Sequence, residues 1–226
     1  RIQRILFMGG RMDVLVKRKP KPTGNMERSK KIILMGNFIK KIIQKRTEKI
    51  VNVFENFIQE GEKILDIGAG GGWIGKEIQK RKNAEVILAD ITDFNQNLDL
   101  KIVLYKGEKI PFPDNSFDAS LLVFVLHHCK NPLRILKEAK RVARKKIIII
   151  EDVPTSLINR IFLYFWDVIV GLPSLIKPPG EEIAFHFKTI PQWQKVFNEL
   201  DLKIIFQKEF KSNILVHHVL FVIAKH

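Results

Sequence analysis

Ile64–Gly75 reads ILDIGAGGGWIG: an apolar run, an aspartate, then five glycines within the eight positions from Gly68 to Gly75. Glycine costs backbone entropy and supplies no packing, so such a cluster marks a tight turn or a backbone that something approaches closely. The residues around it set the frame. KILDIGAG reads as a strand and turn, and Gly72 to Lys82 as a helix. AEVILAD (84–90) is a second strand and KIVLY (101–105) a third. DASLLVFVL (118–126) is almost uniformly apolar, as a strand covered on both faces must be. A helix over 133–144 leads to a fifth strand, KIIIIED (146–152). Strands separated by helices at this rhythm predict an α/β fold with a doubly wound, mostly parallel sheet. Helices are expected over 155–170 and 190–200, and a closing hairpin over 202–210 and 214–224.

Outside this frame the chain changes character. Its net charge is +15, and residues 1–49 hold 15 Lys/Arg against three acids, a local excess of +12. The other 177 residues carry 24 basic and 21 acidic groups, so the cation excess is an N-terminal feature. That concentration points to a polyanion, either RNA or an anionic membrane surface. Residues 1–29, punctuated by Gly9-Gly10, Pro20, Pro22 and Gly24, read as an irregular extension. Ser29 is placed to cap a long amphipathic helix carrying Ile32, Met35, Ile39, Ile42, Ile43, Ile50 and Phe54, with Gly61 ending it. The division expected is a basic extension over 1–49 and a catalytic domain over 50–226. The single cysteine, Cys129, excludes an intrachain disulfide and a Cys-based zinc site. The longest apolar stretch, FLYFWDVIVGLPSL (162–175), is interrupted and too short to span a bilayer. The reading is a cytoplasmic protein.

Parallel α/β sheets bind ligands beyond the carboxyl ends of their strands, which is where the glycines stand. A dinucleotide turn, G-x-G-x-x-G, would need a third glycine at position 73, which is Trp73. The spacing is instead Gly68-x-Gly70-x-Gly72, with Asp66 two residues before it. In this it resembles the first motif of the class I S-adenosylmethionine-dependent methyltransferases. The run YKGEKIPFPDNSFDASLLVFVLHH (105–128), with its P-F-P-D-x-S-F-D core, is similar to the ubiquinone/menaquinone-biosynthesis branch of that family. TIPQWQKVFNELDLKII (189–205) resembles the helix and strand that precede the family's antiparallel last strand.

The resemblance implies a seven-stranded Rossmann-like sheet whose last strand is antiparallel, with S-adenosylmethionine as cofactor. It assigns Asp66 to the amino acid end of that cofactor, Gly68, Ala69, Gly70 and Gly72 to the turn beneath it, and Asp90 to the ribose hydroxyls. Ile91, Gly107, Glu108 and Val125 complete the implied cofactor set. Lys106 departs from the pattern, since relatives carry an acid there beside the adenine amino group, and a lysine accepts no hydrogen bond.

Methyl transfer from a sulfonium needs mainly alignment of nucleophile, methyl and sulfur. A base is required only where the acceptor atom holds a proton. His127 and His128, at the end of the fourth strand, are the candidate bases. His186 has weaker support, and His217 and His218 read as structural. Glu151 and Asp152 end the fifth strand, where they face the acceptor or cap a helix. Aromatic residues in the 153–188 insert, among them Phe162, Tyr164, Phe165, Trp166, Phe185 and Phe187, point to a small apolar or aromatic acceptor. RNA methylation through the basic N-terminus, and a non-catalytic binding module of the same fold, are the alternative readings.

Overall fold

The computed structural model describes residues 2–7, 10–15, 26–97, 99–105, 109–171, 186–212 and 215–225, with side chains from residue 40 onward except those of 166–171. The chain forms two units, Arg1–Ile42 and Ile43–His226.

The first unit corrects the expectation of an irregular extension. Ile2–Phe7 (β1) and Gly10–Leu15 (β2) pair antiparallel, from Ile2 opposite Leu15 to Phe7 opposite Gly10. Gly10, read as part of a break, opens β2 opposite Phe7, and a glycine pair between apolar runs is a hairpin signal. The long helix α1 runs Met26–Phe54, so Ser29 lies inside it and does not cap it. It also stops earlier than Gly61. Phe54 leaves helical geometry at φ −130°, a 3₁₀ turn follows over Glu55–Phe57, and both Phe54 and Ile58 are buried. Core packing of those two side chains sets the stop, and Gly61, at φ +72°, belongs to the next turn.

The second unit is built on one sheet. Its strands are β3 (Lys63–Ile67), β4 (Glu85–Asp90), β5 (Lys101–Leu104), β6 (Phe117–Val123), β7 (Ala143–Asp152), β8 (Lys203–Lys211) and β9 (His217–Ala224). Their order is β5-β4-β3-β6-β7-β9-β8, with β9 antiparallel to both neighbours and the remaining pairs parallel. The doubly wound sheet with its antiparallel last strand is therefore present. Helices α2 (Trp73–Lys82), α3 (Pro132–Val142), α4 (Leu157–Gly171) and α5 (Ile190–Glu199) lie between strands in the chain.

Two apolar cores cover the two faces. On one, Leu136 and Val142 of α3 and Trp193 and Phe197 of α5 pack with Leu65, Leu122, Ile149 and Phe221. On the other, Ile50, Val51 and Phe54 of α1 and Ile78 of α2 pack with Ile64, Leu121, Ile150 and Leu220. Strands β6, β7 and β9 are buried almost throughout, which explains their lack of alternation. Strand β6 ends at Val123, short of the expected Leu126, because Phe124 adopts φ +58° and the chain closes into a 3₁₀ turn over Leu126–His128.

The two edges of the sheet differ in chemistry. Where the parallel strands begin, Glu62 pairs with Lys146 at 2.8 Å, and Asp118 accepts from the Lys63 N–H at 2.9 Å and from Arg144 at 2.5 Å. These are stabilising contacts. The edge where those strands end carries the glycines and the histidines, and it is where ligands sit in sheets of this kind.

Candidate functional site

The glycine cluster forms the connection from β3 to α2. Gly68, Gly70 and Gly72 all have positive φ, at +69°, +51° and +71°. The first is also crowded, since a Cβ on Gly68 would stand 2.6 Å from both methyls of Val125. Gly70 is open, and a Cβ there would meet nothing within 4 Å among the described residues. The turn is pinned from the neighbouring strand: the Gly68 N–H donates to the Ala89 carbonyl at 2.7 Å, and the Gly70 N–H to Asp90 Oδ2 at 2.8 Å. Asp90 Oδ1 in turn accepts from the N–H groups of Ile91 and Thr92, at 2.7 and 3.3 Å. Asp90 thus joins the turn to the end of β4, and Ile91 beside it leaves its side chain half exposed.

Asp66 is turned inward. It is 2% exposed, and its Oδ2 accepts from the Gly75 N–H in the first turn of α2 at 3.1 Å. Burial pushes its carboxyl up to about 7, against the Gly75 hydrogen bond, with the Asp90 charge adding to the rise. Gly75 is a site residue that sequence reasoning missed. A Cβ on it would stand 2.8 Å from Leu88, 3.0 Å from Val86 and 3.1 Å from Asp66 Oδ2, so its bareness lets α2 close on the sheet. Its presence as the fifth glycine of the cluster was the available signal. Asn95 and Asn97 were missed as well. The Asn97 amide donates to the Gly71 carbonyl at 2.8 Å, and Asn95 Oδ1 would lie 2.8 Å from a Cβ on Gly72. The polar run Asp93–Asn97 after β4 thus closes over one side of the turn. Lys106, Gly107 and Glu108 lie outside the described residues.

The loop after β6 is held by Glu151. This fully buried carboxylate accepts from the Val125 and Leu126 N–H groups at 3.0 and 2.7 Å through Oε1, and meets His127 Nδ1 at 2.6 Å through Oε2. It holds the first N–H groups of the 3₁₀ turn over Leu126–His128. The His127 ring is 1% exposed and stacks on Phe187, with centroids 4.9 Å apart, while His128 is exposed. His186 donates its backbone N–H to the His127 carbonyl at 2.8 Å. A second imidazole–carboxylate pair occupies the other face of the sheet: His218 Nδ1 meets Asp152 Oδ1 at 2.5 Å, across the β7–β9 register. The His218 ring lies between Phe124 and Phe210, at 5.1 and 5.0 Å.

The aromatic insert divides. Phe162 and Phe187 pack with Leu163 and Val216 in a small core, whereas Tyr164 and Phe165 are exposed. Phe185 and the side chain of Trp166 lie outside the described residues. Lys130, Leu133, His186, Lys188 and Val196 line a shallow cleft of about 290 Å³ that includes none of the glycine-turn residues. No group of His, Cys, Asp and Glu side chains able to hold a metal ion occurs among the described residues.

With this geometry in view, the sequence of residues 65–150 matches a family described as a methyltransferase domain. The matched segment begins in β3 and ends at Ile150 of β7, so it holds the glycine turn, Asp90, Val125 and the histidine pair. A protein of Methanocaldococcus jannaschii, MJ1123, is 34% identical over 87 residues, 38% of this chain and 42% of that protein. The ubiquinone/menaquinone biosynthesis C-methyltransferase UbiE of Cupriavidus metallidurans is 29% identical over 120 residues, 47% of this chain and 49% of that enzyme. The chain thus matches less than half the length of these curated relatives. A SAM-dependent methyltransferase of Methanosarcina mazei shares the fold, with a TM-score of 0.57 at 20% identity over 76% of this chain and 96% of that one. Among the described residues no helix is long and apolar enough to cross a membrane.

Proposed function

We propose that this chain binds S-adenosylmethionine over the glycine turn and transfers its methyl group to a small, apolar or aromatic acceptor. The observation that carries the reading is the hydrogen bond from the Gly70 N–H to Asp90 Oδ2, at 2.8 Å, beside a glycine whose missing side chain leaves open space. It sets a carboxylate at the rim of a bare backbone surface, the arrangement a nucleoside needs. The residues present fit that ligand. Asp90 already accepts three N–H groups, yet a carboxylate has about four lone-pair sites and keeps capacity for a ribose hydroxyl. Ile91 offers an exposed aliphatic face for the base. Asp66, poised near neutrality, gains from a neighbouring ammonium or sulfonium cation.

When bound, the cofactor supplies an activated methyl on sulfur. The work of the chain is to bind, orient and exclude water. Gly68 and Val125 interlock, so the position of the glycine turn and that of the loop after β6 are set together. Glu151 fixes that loop by its backbone and holds His127 through Nδ1, which makes Nε2 the basic nitrogen of a neutral imidazole. His127 is the base we infer for an acceptor atom that carries a proton. His128, exposed at the end of the same turn, is the second candidate base.

Calorimetric titration with S-adenosylmethionine tests the reading, with Asp90→Ala as the control. Binding by the wild type and at least about a tenfold loss in the variant are expected, the scale of a charge-assisted hydrogen bond. No binding at millimolar cofactor rejects the reading. Methyl transfer from labelled cofactor into lipid, small-molecule and RNA fractions of a cell extract then identifies the acceptor class.

A further inference from the structure

Gly71 stands between two glycines of positive φ without sharing that geometry, so its bareness serves packing. A Cβ there would lie 2.6 Å from Trp73 Nε1 and 3.6 Å from Gln96 Cγ. Its carbonyl is held twice from the connection between β4 and β5, by the Gln96 N–H at 3.1 Å and by Asn97 Nδ2 at 2.8 Å. One residue earlier, the Gly70 N–H is held at 2.8 Å by Asp90, where that connection begins. The Gly70 carbonyl and the Gly71 N–H between them make no hydrogen bond with the described residues. The strap itself is stiffened by its own side chains. Asp93 Oδ1 accepts from the Asn95 N–H at 3.1 Å, Asn95 Oδ1 from the Asn97 N–H at 2.8 Å, and Asn95 Nδ2 donates to the Leu100 carbonyl at 3.1 Å. The first two are Asx turns, which shape a loop without a helix or a sheet.

We propose that Asn97 is a positioning residue for the cofactor: through the Gly71 carbonyl it sets the glycine turn for the amino acid end of S-adenosylmethionine. The inference rests on the reading of that cofactor over the turn and deepens it. A turn built from left-handed glycines has no side chains to hold its shape, so ordering it would otherwise weaken ligand binding. Without the Asn97 donor the Gly71 carbonyl keeps the Gln96 N–H alone, and the apex of the turn is held by one bond in place of two. The nucleoside end stands apart from this device. Asp90 has its own bonds to Gly70, Ile91 and Thr92, and none of them passes through Asn97. Loss of the Asn97 amide is therefore felt at the amino acid end and not at the ribose. Nor does it release the loop, because Lys76 of α2 still pairs with Asp99, and the Asn95 amide with the Leu100 carbonyl.

Two ligands that differ at that end test the inference. S-adenosylhomocysteine carries the amino acid group, and 5′-methylthioadenosine keeps the nucleoside and the thioether without it. In calorimetric titrations Asn97→Ala should weaken S-adenosylhomocysteine about fivefold to tenfold, the scale of one hydrogen bond, and leave 5′-methylthioadenosine within about twofold of the wild type. Asn97→Asp keeps the shape of the side chain and removes its donor, so it should lose S-adenosylhomocysteine to at least the same extent. Equal weakening of both ligands in Asn97→Ala overturns the inference, because the loop then supports the whole site and not one end. Full affinity in Asn97→Asp overturns it as well, since packing and not the donated hydrogen bond is then what counts. A wild type that binds neither S-adenosylmethionine nor S-adenosylhomocysteine rejects the cofactor reading and this inference together. A wild type that binds both, beside variants of unchanged affinity, rejects this inference alone.

Discussion

Asp66 keeps a proton in the folded chain up to about pH 7, because burial outweighs the hydrogen bond it accepts from Gly75. The unfolded chain releases that proton near the ordinary value of 3.8. Between those two values the folded state binds more protons, so stability falls as pH rises through that window. Urea titrations from about pH 4 to 7 should show a loss on the order of a few kcal/mol in the wild type and a flatter profile in Asp66→Asn. A cation placed beside Asp66 reverses the balance and drives the proton off. S-adenosylmethionine affinity should therefore rise from about pH 6 to 8, with proton release that depends on Asp66 and vanishes in Asp66→Asn. Calorimetry in buffers of different ionisation enthalpy reads that release. Two glycines separate structure from binding. Gly68→Ala meets both methyls of Val125 at 2.6 Å and adopts a left-handed φ, so it should cost about 2–4 kcal/mol in chemical denaturation. Gly70→Ala meets no atom of the described residues within 4 Å and should cost only the backbone term of about 1–2 kcal/mol, yet weaken cofactor binding. Residue types and spacing made Asp66, Gly68, Gly70 and Asp90 legible as a group. The burial of Asp66 and the packing role of Gly75 were not, since both depend on how closely α2 approaches Val86 and Leu88.

At the scale of elements, the junction after β6 depends on β7. Glu151 satisfies two buried N–H groups and one imidazole across 24 to 26 residues of chain. Glu151→Ala strands all three, and a loss of about 3 kcal/mol or more is expected in the urea midpoint. His127→Gln keeps the loop's two backbone bonds to Glu151. It should lower the rate of methyl transfer while leaving cofactor affinity within about twofold, a split that marks a group acting in the chemical step. An equal fall in cofactor affinity would instead mark His127 as a strut. The helices and strands of the sheet were legible from period and apolar runs, to within a few residues at their ends. The end of β6 was not, because an αL turn at Phe124 carries no glycine to announce it. The hairpin over Ile2–Leu15 was obscured by basic residues interleaved with its apolar ones.

Across the whole second unit, protection is set by depth in the sheet. Strands β6, β7 and β9 are buried on both faces, while the edge strand β8 is exposed along most of its length. Amide exchange should be slowest in Leu121–Val123, Ile147–Ile150 and Val219–Ile223 and fastest in β5 and β8; equal rates in β7 and β8 would contradict this order. Lysines at 203, 208 and 211 keep β8 from pairing with another sheet, despite Ile205 and Phe206 on its surface. The sequence by itself determined the α/β alternation, the bare turn at the end of the first sheet strand and the acids beside it, because periodicity and glycine spacing are local properties of a chain. Only the tertiary structure decided that Glu151 turns to the loop after β6, that His218 meets Asp152, and that Leu163 of α4 packs with Phe187 and Val216. Those facts depend on which side chains the sheet order brings within a few ångströms, and on what each helix finds to pack against.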